Sequence, residues 1–154
     1  LTEAAVADDI VVRPVRPDDR AGWETLWQGY LTFYKSSLAP EVTDATWKRF
    51  FDPIEPLHAL VAERDGKLVG LTHYLLHRST WAPVCYCYLE DLFVEPSLRG
   101  GGTGRKLIAA VEAAARAAGA SRLYWMTHET NETAQVLYNK VADRPGFVQY
   151  RKKL

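Results

Sequence analysis

The sequence predicts an α/β (α+β) domain with a mixed, largely antiparallel central sheet flanked by helices, in the order β-α-α-β-β-β-α-β-α-β. Three observations predict it. Two apolar runs at 57–64 and 67–77 meet at Asp65-Gly66, a dipeptide that closes hairpins, so the early strands are antiparallel. Trp23, Leu26, Trp27, Tyr30, Leu31 and Tyr34 recur at three- and four-residue spacing and line one face of a helix. Late in the chain, an apolar strand, a cluster of glycines at 100–104 and a second amphipathic helix follow one another. A doubly wound parallel sheet would alternate strand and helix from the outset, and this chain does not.

The elements follow in order. Residues 1–9 read as a small polar tail, and 10–154 as one domain. Residues 10–15 alternate toward a strand; Pro17-Asp18-Asp19 then opens a helix at 18–36 with acidic residues in its first turn. A shorter helix at 44–51 stops before Pro53. After the hairpin, a loop at 78–83 leads into a long strand at 84–94. Leu107, Ile108, Val111, Ala114 and Ala115 make one helical face, and Gly119 suits the helix stop. A strand at 122–127, a helix at 132–141 and a last strand at 147–151 complete the pattern.

At 154 residues, with 47% hydrophobic and 25% charged residues, the chain has the size and composition of a single globular domain. Lys+Arg and Asp+Glu both number 19, so the basic footprint of a nucleic-acid or anionic-membrane binder is missing. The basic cluster from Arg99 to Lys106 is read as phosphate contacts, and the one at 151–153 as a solvated tail. Cys85 and Cys87 lie two apart in one strand, a geometry that opposes a disulfide between them. No second cysteine pair or nearby histidine cluster completes a zinc site, and no metal is expected. Small buried thiols in a reducing cytoplasm are the expectation. No apolar run approaches membrane-spanning length.

The chemistry concentrates between Glu90 and Leu107. A strand leaves the carboxylate pair Glu90-Asp91, turns at Pro96 and meets Gly100, Gly101, Gly102 and Gly104 at the start of a helix. Glycines let backbone N–H groups approach an anion closely, and a helix N-terminus adds partial positive charge. Arg99, Arg105 and Lys106 add full charges, so the turn reads as a pyrophosphate cradle. A nucleoside-triphosphatase loop needs G-x-x-x-x-G-K-[ST], and a dinucleotide fold needs G-x-G-x-x-G after a first strand; neither is present. What remains is R-x-x-G-x-G, met by Arg99, Gly102 and Gly104.

From Tyr88-Leu89-Glu90-Asp91-Leu92-Phe93-Val94 through Arg99 to Gly104, the chain resembles the acetyl-coenzyme A signature of the GNAT superfamily of N-acetyltransferases, its polyamine and thialysine members in particular. A second block, Tyr124-Trp125-Met126-Thr127 through Asn131 to Leu137-Tyr138-Asn139-Lys140-Val141, is similar to the yeast branch that acetylates histones, polyamines or D-amino acids. The resemblance implies acetyl-coenzyme A as donor. Its pantetheine arm would lie on Leu92, Phe93 and Val94, and its pyrophosphate on the amides of Gly100, Gly101, Gly102, Thr103, Gly104 and Arg105. Thr103 stands where relatives often carry an aliphatic residue. Asn131 would hold the cofactor arm, and the Tyr138 hydroxyl would protonate the departing thiolate. Gly146-Phe147 follows the helix later than in many relatives, which bears on the C-terminal edge and on the homodimer the resemblance implies.

Amine attack on a thioester requires a neutral amine, yet an alkylamine with a pKa of about 10.4 is protonated at neutral pH. Glu90 matches the acidic residue of the polyamine-acetylating relatives and is the preferred base, with Asp91 the alternative. Adjacent strand residues point to opposite faces, so only one is expected to face the acceptor. His128 could relay a proton or be merely solvated. Trp81, Tyr86 and Trp125 could wall an acceptor channel or serve packing alone. The expected activity is transfer of acetyl to a primary amine of a small molecule, such as a polyamine, diamine or amino acid. A peptide-lysine acetyltransferase is the alternative, and a non-catalytic acyl-coenzyme A sensor a third reading that Glu90, Asn131 and Tyr138 together disfavour.

Overall fold

A computed structural model describes residues 9–154; all of the expected tail except Asp9 lies outside the described residues. Five strands form one sheet in the order β1 (Val11–Pro14), β2 (Leu57–Arg64), β3 (Lys67–His77), β4 (Tyr86–Val94) and β5 (Arg122–Tyr124). The first four are antiparallel to their neighbours, as the Asp65-Gly66 hairpin predicts, and β5 runs parallel to β4. Helices α1 (Arg20–Phe33) and α2 (Pro40–Arg49) cover one face of the sheet; α3 (Thr103–Ala117) covers the other, joined at its flank by α4 (Glu132–Val141).

The aromatic stripe of α1 does what its spacing predicts. Trp23, Leu26, Trp27 and Leu31 are buried against Leu71 of β3 and Phe93 of β4, with Trp47 and Phe50 of the α2 region closing the cluster. Leu107, Ile108, Val111 and Ala115 of α3 pack on the opposite face against Leu60, Tyr74, Cys87, Leu89 and Val94. Gly119 takes φ 77° and returns its N–H to the Arg116 carbonyl at 3.0 Å, the expected helix stop. Cys85 and Cys87 are both free, and burial pushes the Cys87 thiol up to about 11.

Several boundaries differ for identifiable reasons. Pro17–Asp19 form a separate 3-10 turn before α1, because the Asp19 carboxylate accepts from the Arg16 N–H at 2.7 Å and from the Arg13 guanidinium at 2.7 and 2.9 Å. Helix α2 begins at Pro40 rather than residue 44; proline at a first helical position has its φ already set and no N–H to satisfy. Strand β4 begins at Tyr86 and β5 ends at Tyr124, three residues short of the expected end. The final strand predicted at 147–151 does not form. Phe147 is 90% and Tyr150 92% exposed, and Gln149 meets Met126, just past β5, through its side chain. A β5 with three paired residues offers too short an edge to template another strand.

One irregularity governs everything that follows. Pairing runs Thr72↔Leu92 and His73↔Asp91, then jumps to Tyr74↔Leu89, so Glu90 is the extra residue of a β-bulge. Before the bulge, Cys87 and Leu89 face α3; after it, Leu92 and Val94 do. The parity of the strand therefore flips between Leu89 and Leu92. Glu90 and Asp91 fall successively on the α1 face, which overturns the expectation that adjacent carboxylates point to opposite sides.

Candidate active site

Asp91 of the carboxylate pair is held by residues on two elements, β3 and α1. Asp91 Oδ2 lies 2.9 Å from Nδ1 of His73, which is buried against Trp23, Trp27 and Phe50. Its carbonyl accepts a hydrogen bond from the Thr72 hydroxyl at 2.9 Å, which pins the bulge. Burial and the Asp91 carboxylate hold the Tyr30 phenol of α1 well above its usual range, so Tyr30 meets Asp91 as a proton donor. Glu90 is the exposed member of the pair. Partial loss of solvent, then the neighbouring Asp91 charge, raises its pKa above the ordinary glutamate value.

Beyond Tyr88, β4 has no β5 partner, since pairing ends at Tyr88↔Tyr124. The peptide groups of Leu92 and Val94 thus border a gap beside β4, where an acyl arm could lie as an additional hydrogen-bonding edge. Phe93, expected among the arm's contacts, turns its peptide groups to Leu71 of β3, because successive strand residues alternate. The glycine turn follows directly. Gly100 and Gly102 have φ of 80° and 85°, and a Cβ built on Gly100 would meet nothing within 4 Å. The first helical bond of α3 runs from the Lys106 N–H to the Gly102 carbonyl at 3.0 Å. The amides of Thr103, Gly104 and Arg105 are therefore the unpaired first turn of a helix. The Thr103 hydroxyl is buried without a partner, a further polar group at the same turn. Unpaired amides, left-handed glycines and open space fit a pyrophosphate.

The basic residues divide differently from the expectation. Arg105 is exposed beside the cradle. Arg99 donates from Nε to the Val94 carbonyl at 3.1 Å and lies over the rings of Phe33 and Phe93. The Lys106 ammonium donates to the Ile10 carbonyl at 2.5 Å, so this side chain tethers the start of β1 as well as adding charge near the turn. No group of three or more metal-ligating side chains occurs among the described residues, and no helix there is long and apolar enough to cross a membrane.

Across the gap, Tyr138 of α4 packs edge-on against Trp125, and burial followed by the proximity of Tyr34 pushes its phenol up to about 12. Tyr34, at the end of α1, is itself raised by burial and by Asp91, so it lies near both groups. A groove of about 340 Å³ opens there, lined by Phe33, Tyr34, Lys35, His128, Thr130 and Asn131. Asn131 donates to the Thr127 hydroxyl at 3.1 Å and His128 hydrogen-bonds Thr130 at 2.7 Å, both at the rim. A larger hollow of about 410 Å³, edged by Arg64, Lys67 and Glu95, lies apart from these groups.

Sequence reasoning missed Tyr30, Tyr34 and His73. The two tyrosines belong to the α1 stripe and read as core; only their hydroxyls betray them. Of the three aromatics expected to wall an acceptor, Trp81 is 83% exposed in its loop, Tyr86 is buried under Arg122, and Trp125 backs Tyr138. Tyr88, whose phenol is pushed up to about 12 by burial and then by the Glu90 and Asp91 charges, lies beside the carboxylates instead. It stacks at 5.0 Å on Tyr124, whose hydroxyl meets His77 Nε2 at 2.7 Å.

Residues 23–142 match the acetyltransferase (GNAT) family. The D-amino-acid N-acetyltransferase HPA3 of Saccharomyces cerevisiae is 38% identical over 152 residues, covering 97% of this chain and 94% of its own length. A thialysine N-epsilon-acetyltransferase of Bos taurus is 36% identical over 89 residues, 53% of this chain and 52% of its own. The solved aminoglycoside acetyltransferase AAC(6')-Iy, in complex with a bisubstrate analogue, superposes with a TM-score of 0.82 at 19% identity, covering 94% of this chain and 98% of that one, a likeness of fold. The family match and the near full-length similarity agree with the cradle, the strand gap and the carboxylate pair: the chain belongs to the GNAT family and is an N-acetyltransferase, of a family that takes its acetyl group from acetyl-coenzyme A.

Proposed function

We propose that this enzyme acetylates a primary amine of a small molecule by direct attack on the thioester. The observation that carries the reading is the β4 bulge, which presents Glu90 and Asp91 together on the face bordering the strand gap, with Tyr138 across it. Asp91 attracts the acceptor's ammonium, and Glu90, directly or through water, takes its proton. The freed lone pair forms the C–N bond while the amides of Leu92 and Val94 border the carbonyl oxygen as it gains charge. The C–S bond breaks, the new amide nitrogen gives up its second proton to water, the leaving sulfur takes one back from water, and the Tyr138 hydroxyl meets the thiolate in the interval. A phenol at about 12 stays protonated throughout the working range. Full transfer to an ordinary thiolate, whose acid has a pKa of about 8.5, is uphill. The hydroxyl's contribution is therefore a hydrogen bond that tightens as negative charge gathers on sulfur.

The yeast relative's D-amino-acid acceptor and the bovine relative's thialysine both support a small amine as substrate. We also propose a homodimer, supported by the exposed Phe147, Val148 and Tyr150, and a cytoplasmic setting, which suits two unpaired thiols. The deciding experiment measures coenzyme A release with D-phenylalanine, thialysine, spermidine and a lysine-containing histone peptide. Turnover on a small amine well above the peptide is expected; preference for the peptide would overturn the reading.

A further inference from the structure

Nothing in the proposed chemistry requires a buried histidine, yet His73 is 1% exposed at the centre of the α1 face, with both ring nitrogens engaged. Its Nε2 lies 2.9 Å from Nε1 of Trp23, and its Nδ1 lies 2.9 Å from Oδ2 of Asp91. An indole N–H can only donate, so Nε2 must be the accepting, unprotonated nitrogen. In the neutral ring the proton then sits on Nδ1 and points at the carboxylate. The opposite tautomer would set two N–H groups against each other at Trp23 and a lone pair against Asp91, losing both bonds at once. Ring centroids of Trp23, Trp27 and Phe50 at 5.9, 5.1 and 4.9 Å enclose the imidazole, which leaves water no place in the relay.

We infer that Trp23 and His73 form a positioning relay for the acceptor site: the indole fixes the imidazole tautomer, and the imidazole fixes the Asp91 carboxylate that anchors the acceptor's ammonium. With Oδ2 on His73 and the Tyr30 hydroxyl also donating to the carboxylate, only the lone pairs those two donors leave are open to that ammonium. The Asp91 side chain is only 13% exposed, so the approach is narrow and its orientation matters. Thr72, next to His73 on β3, holds the Asp91 backbone while His73 holds the side chain, so two successive β3 residues grip one residue of the bulge. The inference rests on the amine-acetylation reading and adds to it a residue that reaches the acceptor only through another.

Two measurements test it. In the wild-type protein near neutral pH, nitrogen NMR should find the His73 imidazole, identified by its contact with the Trp23 indole proton, protonated at Nδ1 alone. An Nε2-protonated or doubly protonated ring overturns the relay without any variant. Kinetics with spermidine, thialysine and D-phenylalanine then compare wild type, His73→Leu and His73→Asn, with calorimetric titration by acetyl-coenzyme A. His73→Leu should raise the acceptor KM about 10–100-fold, the worth of a hydrogen bond to a charged group, while the acetyl-coenzyme A Kd holds. His73→Asn, whose amide can stand in for the Nδ1 donor, should recover most of that loss. An unchanged acceptor KM in His73→Leu, or equal losses for donor and acceptor, overturns the proposal. A wild type inactive on all three amines would instead remove the acetylation reading, which the tautomer measurement does not depend on.

Discussion

Trp125 meets the ring of Tyr138 edge-on, with centroids 5.5 Å apart and planes at 70°. That contact is made by the ring and not by the hydroxyl, so the two functions of Tyr138 can be separated. Tyr138→Phe should keep the fold and the acetyl-coenzyme A affinity, and lower kcat by about 10²–10³, the usual effect of removing one donor to a developing charge. Stopped-flow turnover beside a binding isotherm checks it; wild-type turnover would return Tyr138 to a packing role.

Glu90 should leave its mark on the acid side of the rate profile. Its raised pKa keeps it protonated to higher pH than an ordinary glutamate, so the base is lost earlier as pH falls. The acid limb of kcat/KM should therefore have its midpoint above the ordinary value of 4.5. Glu90→Gln should remove that limb and cost roughly 10²-fold or more at neutral pH. A profile identical in wild type and variant would shift the role to Asp91 or to water.

The cradle predicts a contrast between two neighbouring glycines. Gly102, at φ 85°, cannot take a side chain without backbone strain, and an aspartate there would set a negative charge against the pyrophosphate. Gly102→Asp should abolish detectable acetyl-coenzyme A binding. At Gly104 an added Cβ would meet Leu137 Cδ2 at 3.7 Å and Val94 Cγ2 at 3.9 Å, ordinary contact distances. Gly104→Ala should fold and bind, and calorimetry on the pair tells a lost cradle from a lost fold.

Asp19 gives a stability prediction away from the site. Its hydrogen bonds to Arg13, then to the Arg16 N–H, hold its pKa below the ordinary aspartate value against the opposing effect of burial. The pair therefore contributes stability above the unfolded-state value, and that contribution is lost as pH falls through the folded one. Asp19→Asn should destabilise the fold by on the order of 1–3 kcal/mol at neutral pH. Urea melts should show the gap between variant and wild type closing in acid; a gap independent of pH would count against the pair.

How much of this was legible in the sequence depended on the range of the forces involved. The hairpin, the α1 stripe, the α3 face and the glycine turn are local patterns, and each appears where its residues place it. The bulge is not local: it is a mismatch between β3 and β4, and no property of Glu90 alone announces it. With it went the facing of Asp91, and hence the part played by His73, a residue eighteen positions away. The failed strand at 147–151 has the same origin, since alternation along a segment says nothing of whether an edge is free to receive it.

The early parting of β5 from β4 has a consequence for how such an enzyme can change. The wall it uncovers is peptide backbone, which any amino acid supplies, whereas the acceptor site proposed above is written in the side chains of Glu90 and Asp91, with Tyr34 beside them. Substitutions can thus retune what is modified while leaving the source of the acetyl group untouched. One half of the reaction is inherited with the shape of the chain, and the other is open to revision one residue at a time.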